Sequence, residues 1–211
     1  MYNRAIKQGL CKFNPVEEYK YSTKDAEREP LNEDELKSLE NLFINPNTHS
    51  TIKRALQPFL FCCYTGLRYR DVKALRHKNI IEDTSDGQVY KLVSFTMHKS
   101  NEQIDIPLND RALALLPNCG FREDNVFSVY SNQPLNRYLK DAASLAGINK
   151  PISFHCSRHT FATLLLNREI PIEAVSKLLG HKDIKTTQIY AKILPKTKLN
   201  AVRVLDSLKN G

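Results

Sequence analysis

The chain has 211 residues and a mass of 24.2 kDa, enough for one large domain with a substantial core. Hydrophobic residues make up 41% and charged residues 26%, which excludes a disordered chain, a collagen-like fibre and a small disulfide scaffold. No apolar run approaches the roughly 20 residues that cross a bilayer. The N-terminal residues also lack the apolar stretch of a signal peptide.

Lysine and arginine outnumber aspartate and glutamate by 31 to 23, giving a net charge of +8 and a pI of about 9.2. Residues 150–211 hold eleven of these bases and only four acids. A basic chain most often meets a polyanion, with nucleic acid as the default, although such a charge can also serve solubility alone. The five cysteines, an odd number without a C-x-x-C pair, favour a reducing compartment.

The first predicted element is the end of a helix that stops at Gly9, followed by a polar stretch to Pro30. We therefore expect 1–30 to be the tail of an upstream domain plus a linker. Asn32 and Glu35 form a capping-box pattern that begins a helix over 33–44. A buried helix over 50–64 ends at Thr65-Gly66, and a short helix over 70–75 follows.

The clear β signal comes next, as a hairpin. Val89 to Met97 is strand-like, Gln103 to Leu108 alternates polar and apolar residues, and 98–102 form the tip. The remaining predicted elements are helices, with Pro171 suited to a first helical position and Gly180 to the position after a helix end. These helices are predicted at about 109–116, 135–146, 157–167, 172–179, 186–193 and 197–208. The predicted fold class is α+β: mainly α with a small antiparallel β-sheet.

Several common chemistries lack their motifs. The chain has no glycine-rich phosphate loop and no G-x-S-x-G nucleophile elbow. His155 and His159 have the spacing of a metal-binding helix, but Cys156 stands where a zinc protease needs glutamate. We therefore expect no metal site and no cofactor. What remains is a series of cations near glycines or helix ends, followed by Tyr190.

Four short segments in this series resemble the tyrosine recombinase (phage integrase) family, of the transposon and phage integrase branch. They are Thr65-Gly66-Leu67-Arg68, His155-x-x-Arg158-His159-Thr160-Phe161-Ala162-Thr163, Leu178-Leu179-Gly180-His181 and Thr186-Thr187-x-x-Tyr190. They come in the family's order and spacing. The resemblance covers about 31–195 and implies the fold of the family's catalytic domain.

The resemblance also implies site roles. Tyr190 would be the nucleophile, Arg68 and Arg158 would clamp the phosphate, and Lys99 would be the general acid. His155 and His181 would assist proton transfer and phosphate binding. Asp71 would orient its neighbours.

General chemistry is compatible with these roles. Arginine binds phosphate through a planar fork, and fixed cations can stabilise the charge of a phosphoryl transition state. Tyrosine has a pKa near 10 and needs help to become a nucleophile. Taken singly, two of these residues also have ordinary structural interpretations: Tyr190 as a buried core tyrosine and His181 as a helix cap. Lys99 also fits a solvated turn residue, with neighbouring His98 as the alternative general acid.

The implied partners are double-stranded DNA and other recombinase protomers in a tetrameric synapse. Five basic residues are candidates for DNA contact: Arg70, Lys73, Arg76, Lys182 and Lys185. In 196–211 an apolar stripe of Leu199, Val202, Leu205 and Leu208 lies on a basic helix. This helix would dock on a neighbouring protomer, or else pack on its own domain.

The implied function is site-specific recombination for integration and excision of a mobile element, through a covalent 3′-phosphotyrosine and without metal or ATP. We expect it at the nucleoid in the cytoplasm of a bacterium, encoded by the cell, a phage or a mobile element. Two alternatives stay open: type IB topoisomerase-like relaxation of DNA, and a non-catalytic DNA-binding repressor.

Overall fold

The computed structural model describes residues 6–10, 29–97, 102–118 and 120–191. Two sequence predictions lie outside these residues. They are the hairpin tip with Lys99 and the C-terminal helix over 197–208. Most of the predicted linker lies outside them as well.

Within the described residues the chain forms eight α-helices and one three-stranded sheet. In chain order the elements are α1 (Glu33–Ile44), α2 (Ser50–Thr65), α3 (Tyr69–Ala74), β1 (Ile80–Ser85), β2 (Gln88–Thr96), β3 (Gln103–Pro107), α4 (Asp110–Ala114), α5 (Asn132–Leu145), α6 (Cys156–Asn167), α7 (Ile172–Leu178) and α8 (Lys185–Ala191). The α+β fold class with a small antiparallel sheet is therefore confirmed. None of the helices in these ranges combines the length and apolar character needed to span a bilayer.

The helix boundaries follow local chemistry. The capping box that begins α1 is present, since the Asn32 side chain accepts a hydrogen bond from the Glu35 amide and the Glu35 carboxylate accepts one from the Asn32 amide. Helix α5 begins three residues earlier than predicted, because Pro134 lies in the first turn, where amides need no helical partner. Pro171 is the residue before α7 rather than its first helical residue, so that prediction was wrong by one position.

The sheet has the order β1-β2-β3, with both pairs antiparallel. Strand β1 was not predicted from the sequence. It is a mostly exposed edge strand, so polar residues replace the alternating pattern that marked β2 and β3. The signal that could have found it is Asp86-Gly87, a dipeptide typical of two-residue hairpin turns, which joins β1 to β2.

Helix α2 is the centre of the main core and packs against α1, α5 and α6. Its buried side chains include Leu56, Phe59 and Leu60, each fully buried. A second, smaller cluster joins α6, α7 and α8 through Phe161, Val175, Leu179 and Tyr190. The motif residues lie where the two clusters meet, at the ends of α2 and α7 and along α6.

Candidate active site

Arg158 is the buried centre of the site. It lies in the first turn of α6 and is only 3% exposed. Its Nη1 donates to the carbonyl of Gly66 at 2.7 Å, and its Nη2 donates to the carbonyl of Leu179 at 2.5 Å and to Nε2 of His181 at 2.8 Å. Because these carbonyls follow the ends of α2 and α7, one guanidinium joins three helices and is held in a fixed orientation.

His181 lies between Arg158 and α8. Arginine has no acceptor atom, so Nε2 of His181 must accept the hydrogen bond from Arg158. The ring proton is then on Nδ1, which donates to Oγ1 of Thr187 at 2.8 Å. Thr187 is fully buried in α8. The two contacts together fix both the tautomer and the ring plane of His181.

Tyr190 comes from the last turn of α8 and is only 2% exposed. Burial raises the pKa of its phenol, while the charge of Arg158, a hydrogen bond from Arg158 and the charge of Arg68 lower it. Burial also lowers the pKa of Arg158 to about 10, with Arg68 adding to that shift and Tyr190 and Asp71 opposing it. The phenol is therefore in electrostatic contact with both arginines.

An open cavity of about 280 Å³ gives access to this centre. Arg68, His155 and Arg158 line it together with polar side chains of α5. Arg68 is half-buried, and His155 is exposed at the start of α6. The cavity is thus lined by two arginines and is open to solvent, as a site for an anionic ligand requires.

Gly66 lets the end of α2 approach the other motifs. Its φ is +70°, and a Cβ there would lie 2.6 Å from Cδ1 of Phe161 and 3.0 Å from Cδ2 of Leu179. Glycine is therefore needed for both the turn and the packing. This tight turn places Arg68 beside the cavity and offers the Gly66 carbonyl to Arg158.

The structure brings together most of the residues singled out from the sequence. Arg68, His155 and Arg158 share the cavity, while His181 and Tyr190 contact Arg158. Asp71 is buried on α3, close enough to raise the pKa of Arg158. Their catalytic roles stay predictions, as does the role of Lys99, which lies outside the described residues.

The five candidates for DNA contact, Arg70, Lys73, Arg76, Lys182 and Lys185, all have exposed side chains. Some have neighbours on the protein: Arg76 pairs with Glu123 at 2.9 Å, and Lys182 lies 3.9 Å from Glu102. Such exposed pairs contribute little to stability and can exchange for phosphate contacts. DNA contact at these positions stays a prediction.

Among the contacts that sequence reasoning missed are those of Thr187 and Met97. Thr187 was part of a motif, but its bond to His181 depends on how α8 packs. Met97 was read only as a strand end, yet its Sδ lies 3.9 Å from Nη1 of Arg68. In the part of the chain that the structure describes, no three His, Cys, Asp or Glu side chains are grouped as metal ligands would be.

The sequence pattern of the phage integrase family matches residues 29–196 of the chain. A tyrosine recombinase of Thermosipho africanus is 28% identical over 213 residues, covering 97% of this chain and 71% of that protein. Tyrosine recombinase XerD of Listeria monocytogenes is 31% identical over 170 residues, covering 75% of this chain and 57% of that protein. The chain thus spans little more than half the length of XerD.

Solved structures have the same fold. The XerH site-specific recombinase bound to its difH substrate aligns with a TM-score of 0.64 at 18% identity, over 93% of this chain and 58% of that one. The catalytic domain of bacteriophage HP1 integrase aligns with a TM-score of 0.57 at 22% identity, over 82% and 93%. With its fold and the family pattern matched over most of its length, the chain belongs to the phage integrase family, the tyrosine recombinases.

Proposed function

We propose that this chain is the catalytic part of a site-specific DNA recombinase that cuts and rejoins strands through Tyr190. The observation that carries the proposal is the buried phenol of Tyr190 held against Arg158, beside a cavity lined by Arg68 and His155. A tyrosine among fixed cations suits attack on a phosphodiester, whose transition state carries negative charge on the phosphoryl oxygens.

In the proposed step the Tyr190 oxygen attacks phosphorus and the bond from phosphorus to the 5′ oxygen breaks. The phenol proton passes from Tyr190 to a histidine of the site, His155 or His181, and the 5′ oxygen takes up a proton from Lys99 and departs as a hydroxyl. The DNA keeps a 3′-phosphotyrosine link, so the energy of the phosphodiester is conserved. Attack by a 5′ hydroxyl on that link reverses the step and rejoins the strand.

Several of the described residues stabilise the negative charge on the phosphoryl oxygens. Arg158 is held by two carbonyls and His181, so it meets the phosphate already oriented. Arg68 and His155 line the same cavity and are more exposed than Arg158. We assign protonation of the leaving oxygen to Lys99, which follows β2 by three residues.

Double-stranded DNA is the proposed substrate, and the nucleoid of a bacterial cell is the proposed place of action. The net charge of +8 and the exposed cations support DNA as the substrate. The bacterial relatives support the bacterial cell. Affinity for DNA should fall steeply as salt rises, because bound phosphates release their counterions. A flat salt response would contradict DNA binding.

Covalent trapping tests the reaction. Nicked duplexes that tile the DNA around the gene are incubated with the 211-residue chain in EDTA, and SDS-stable adducts are counted. We expect an adduct that Tyr190→Phe abolishes while binding is retained. Tyr138→Phe, a change on α5 outside the proposed chemistry, is the matched control and should form the adduct.

The alternatives predict different results. A repressor would bind DNA tightly and form no adduct with any of these duplexes. A topoisomerase-like enzyme would form the adduct and relax a supercoiled plasmid of unrelated sequence as a monomer. Adduct formation restricted to particular duplexes supports recombination.

We also propose that the apolar stripe of 197–208 docks on a neighbouring protomer in a tetramer on DNA, and that 1–30 links to an upstream domain. The stripe begins nine residues after Tyr190, so docking would couple assembly to the nucleophile. Deleting 197–211 should abolish strand exchange while DNA binding stays measurable. Unchanged strand exchange by the shortened chain would contradict the docking.

A further inference from the structure

The ring of Tyr190 meets two histidine rings, those of His181 and His159. His181 stacks against it at 6.4 Å between centroids with 11° between planes. His159 meets it at 5.0 Å with 80° between planes, an edge-to-face arrangement. His181 is already held by Arg158 and Thr187, so the position of Tyr190 on that side follows from the buried centre of the site.

His159 also links Tyr190 to His155, which lines the open cavity. Its ring also meets the ring of His155 at 4.8 Å with 74° between planes. His155 and His159 are one helical turn apart on α6, so the backbone fixes their spacing. A row of three rings therefore runs from exposed His155, at the cavity, through half-buried His159 to buried Tyr190.

We propose that His159 is a positioning residue for the nucleophile: its ring sets the plane of Tyr190 and ties it to the occupancy of the cavity at His155. The proposal rests on the proposed function of Tyr190. The two side-chain torsions of a tyrosine can each take more than one value, so contacts on its ring, together with the hydrogen bond from Arg158, decide where the hydroxyl points. His181 supplies a contact on the ring face, and His159 supplies the crossed contact that stops the ring from tilting.

The chemical demand on this contact is strict. In-line attack requires the phenol oxygen at about 3 Å from phosphorus, and a misplacement of about 1 Å can cost roughly 100-fold in rate. Removing the His159 ring should therefore slow the chemical step and leave DNA affinity nearly unchanged, since the phosphate contacts of Arg68 and Arg158 remain. Restoring a ring without imidazole nitrogens should restore the rate.

The test compares His159→Leu with His159→Phe on whichever nicked duplex forms the wild-type adduct. At saturating DNA, His159→Leu should form the adduct about 10- to 100-fold more slowly with affinity changed less than about twofold, and His159→Phe should stay within about threefold of wild type. His49→Leu is the control, since it removes the cap of α2 about 24 Å along that helix from Gly66. It should cleave at the wild-type rate.

A wild-type rate of adduct formation for His159→Leu would overturn the role of His159. Equal losses of rate in the leucine and phenylalanine variants would overturn it as well. Parallel losses of affinity and rate would also overturn it, because they indicate a general structural role. Absence of a wild-type adduct contradicts the proposed function instead. In that case fluorine NMR of chain labelled with 3-fluorotyrosine decides: the Tyr190 signal, identified with Tyr190→Phe, should shift in His159→Leu and not in His49→Leu.

Discussion

His181 orients Arg158 in this structure. Its Nε2 accepts from the guanidinium, so this nitrogen holds the arginine in place. Its Nδ1 is in turn held by Thr187, whose side chain is fully buried. The pair of contacts resembles the way in which a second residue fixes the tautomer of a catalytic histidine. Thr187 is therefore linked to Arg158 through His181.

Thr187→Val tests this chain of contacts. Valine has nearly the same shape but cannot accept from Nδ1, so His181 loses the bond that sets its tautomer. We expect adduct formation to slow by about tenfold or more and the free energy of unfolding to fall by about 1 kcal/mol. Both are measurable by trapping and urea denaturation. Thr186→Val, at the exposed neighbouring position, should change neither, and an equal effect of the two variants would contradict the assignment.

The resemblance to the tyrosine recombinase family singled out Arg68, Arg158 and Tyr190, because the motifs that carry it are short and local in the sequence. The contact of Thr187 with His181 could not be predicted in the same way. It depends on the angle at which α8 packs against α6 and α7, which no local pattern encodes. The ring contact of His159 with Tyr190 could not be predicted for the same reason.

At the scale of elements, the end of β2 packs into the turn after α7. Gly180 has φ +57°, and a Cβ there would lie 2.3 Å from Sδ of Met97 and 3.3 Å from Cδ1 of Ile104. Met97 follows β2 directly, and its sulfur also contacts Arg68. The hairpin that carries Lys99 is therefore packed against the turn that precedes His181.

Gly180→Ala should break this packing. A left-handed alanine costs about 1–2 kcal/mol by itself, and displacement of Met97 should add about 1–3 kcal/mol. Gly87→Ala is the matched control, since its φ is +76° and nothing lies within 4 Å of its Cβ. Urea denaturation should show a larger loss for Gly180→Ala, and Met97→Ala in the same chain should recover part of it. Equal losses at the two glycines would contradict the packing argument.

The helices were the elements most open to prediction, because caps and glycines mark their ends: Asn32 begins α1 and Gly66 ends α2. Strand β1 was not, since its partner β2 supplies the hydrogen bonds and little of its own side-chain surface is buried. Tertiary pairing, rather than local propensity, forms such an edge strand.

For the whole molecule, the two adjacent thiols in the last turn of α2 link folding to pH. Cys62 and Cys63 are almost completely buried, and burial raises the pKa of both thiols well above the ordinary range. When the pH is above the ordinary pKa of a thiol, the unfolded chain releases its thiol protons while the folded chain keeps them. Stability contributed by the protonated thiols is therefore fully present at neutral pH and is lost as pH rises.

Urea denaturation under reducing conditions should show the free energy of unfolding falling above about pH 9, by up to about 1.4 kcal/mol per pH unit for each thiol. The double variant Cys62→Ala/Cys63→Ala should be less stable at neutral pH but should lose less on going to pH 10. An identical slope in the double variant would assign the pH dependence to other groups.

The buried guanidinium of Arg158 has a consequence for how descendants of such an enzyme evolve. Three of its hydrogen bonds go to the protein itself and join the ends of α2 and α7 to α6. Selection for folding would therefore retain this arginine in a copy that no longer cuts DNA. Exposed His155, which the fold does not enclose, would be free to drift in such a copy. Loss of His155 is thus an earlier sign of a decayed element than loss of Arg158.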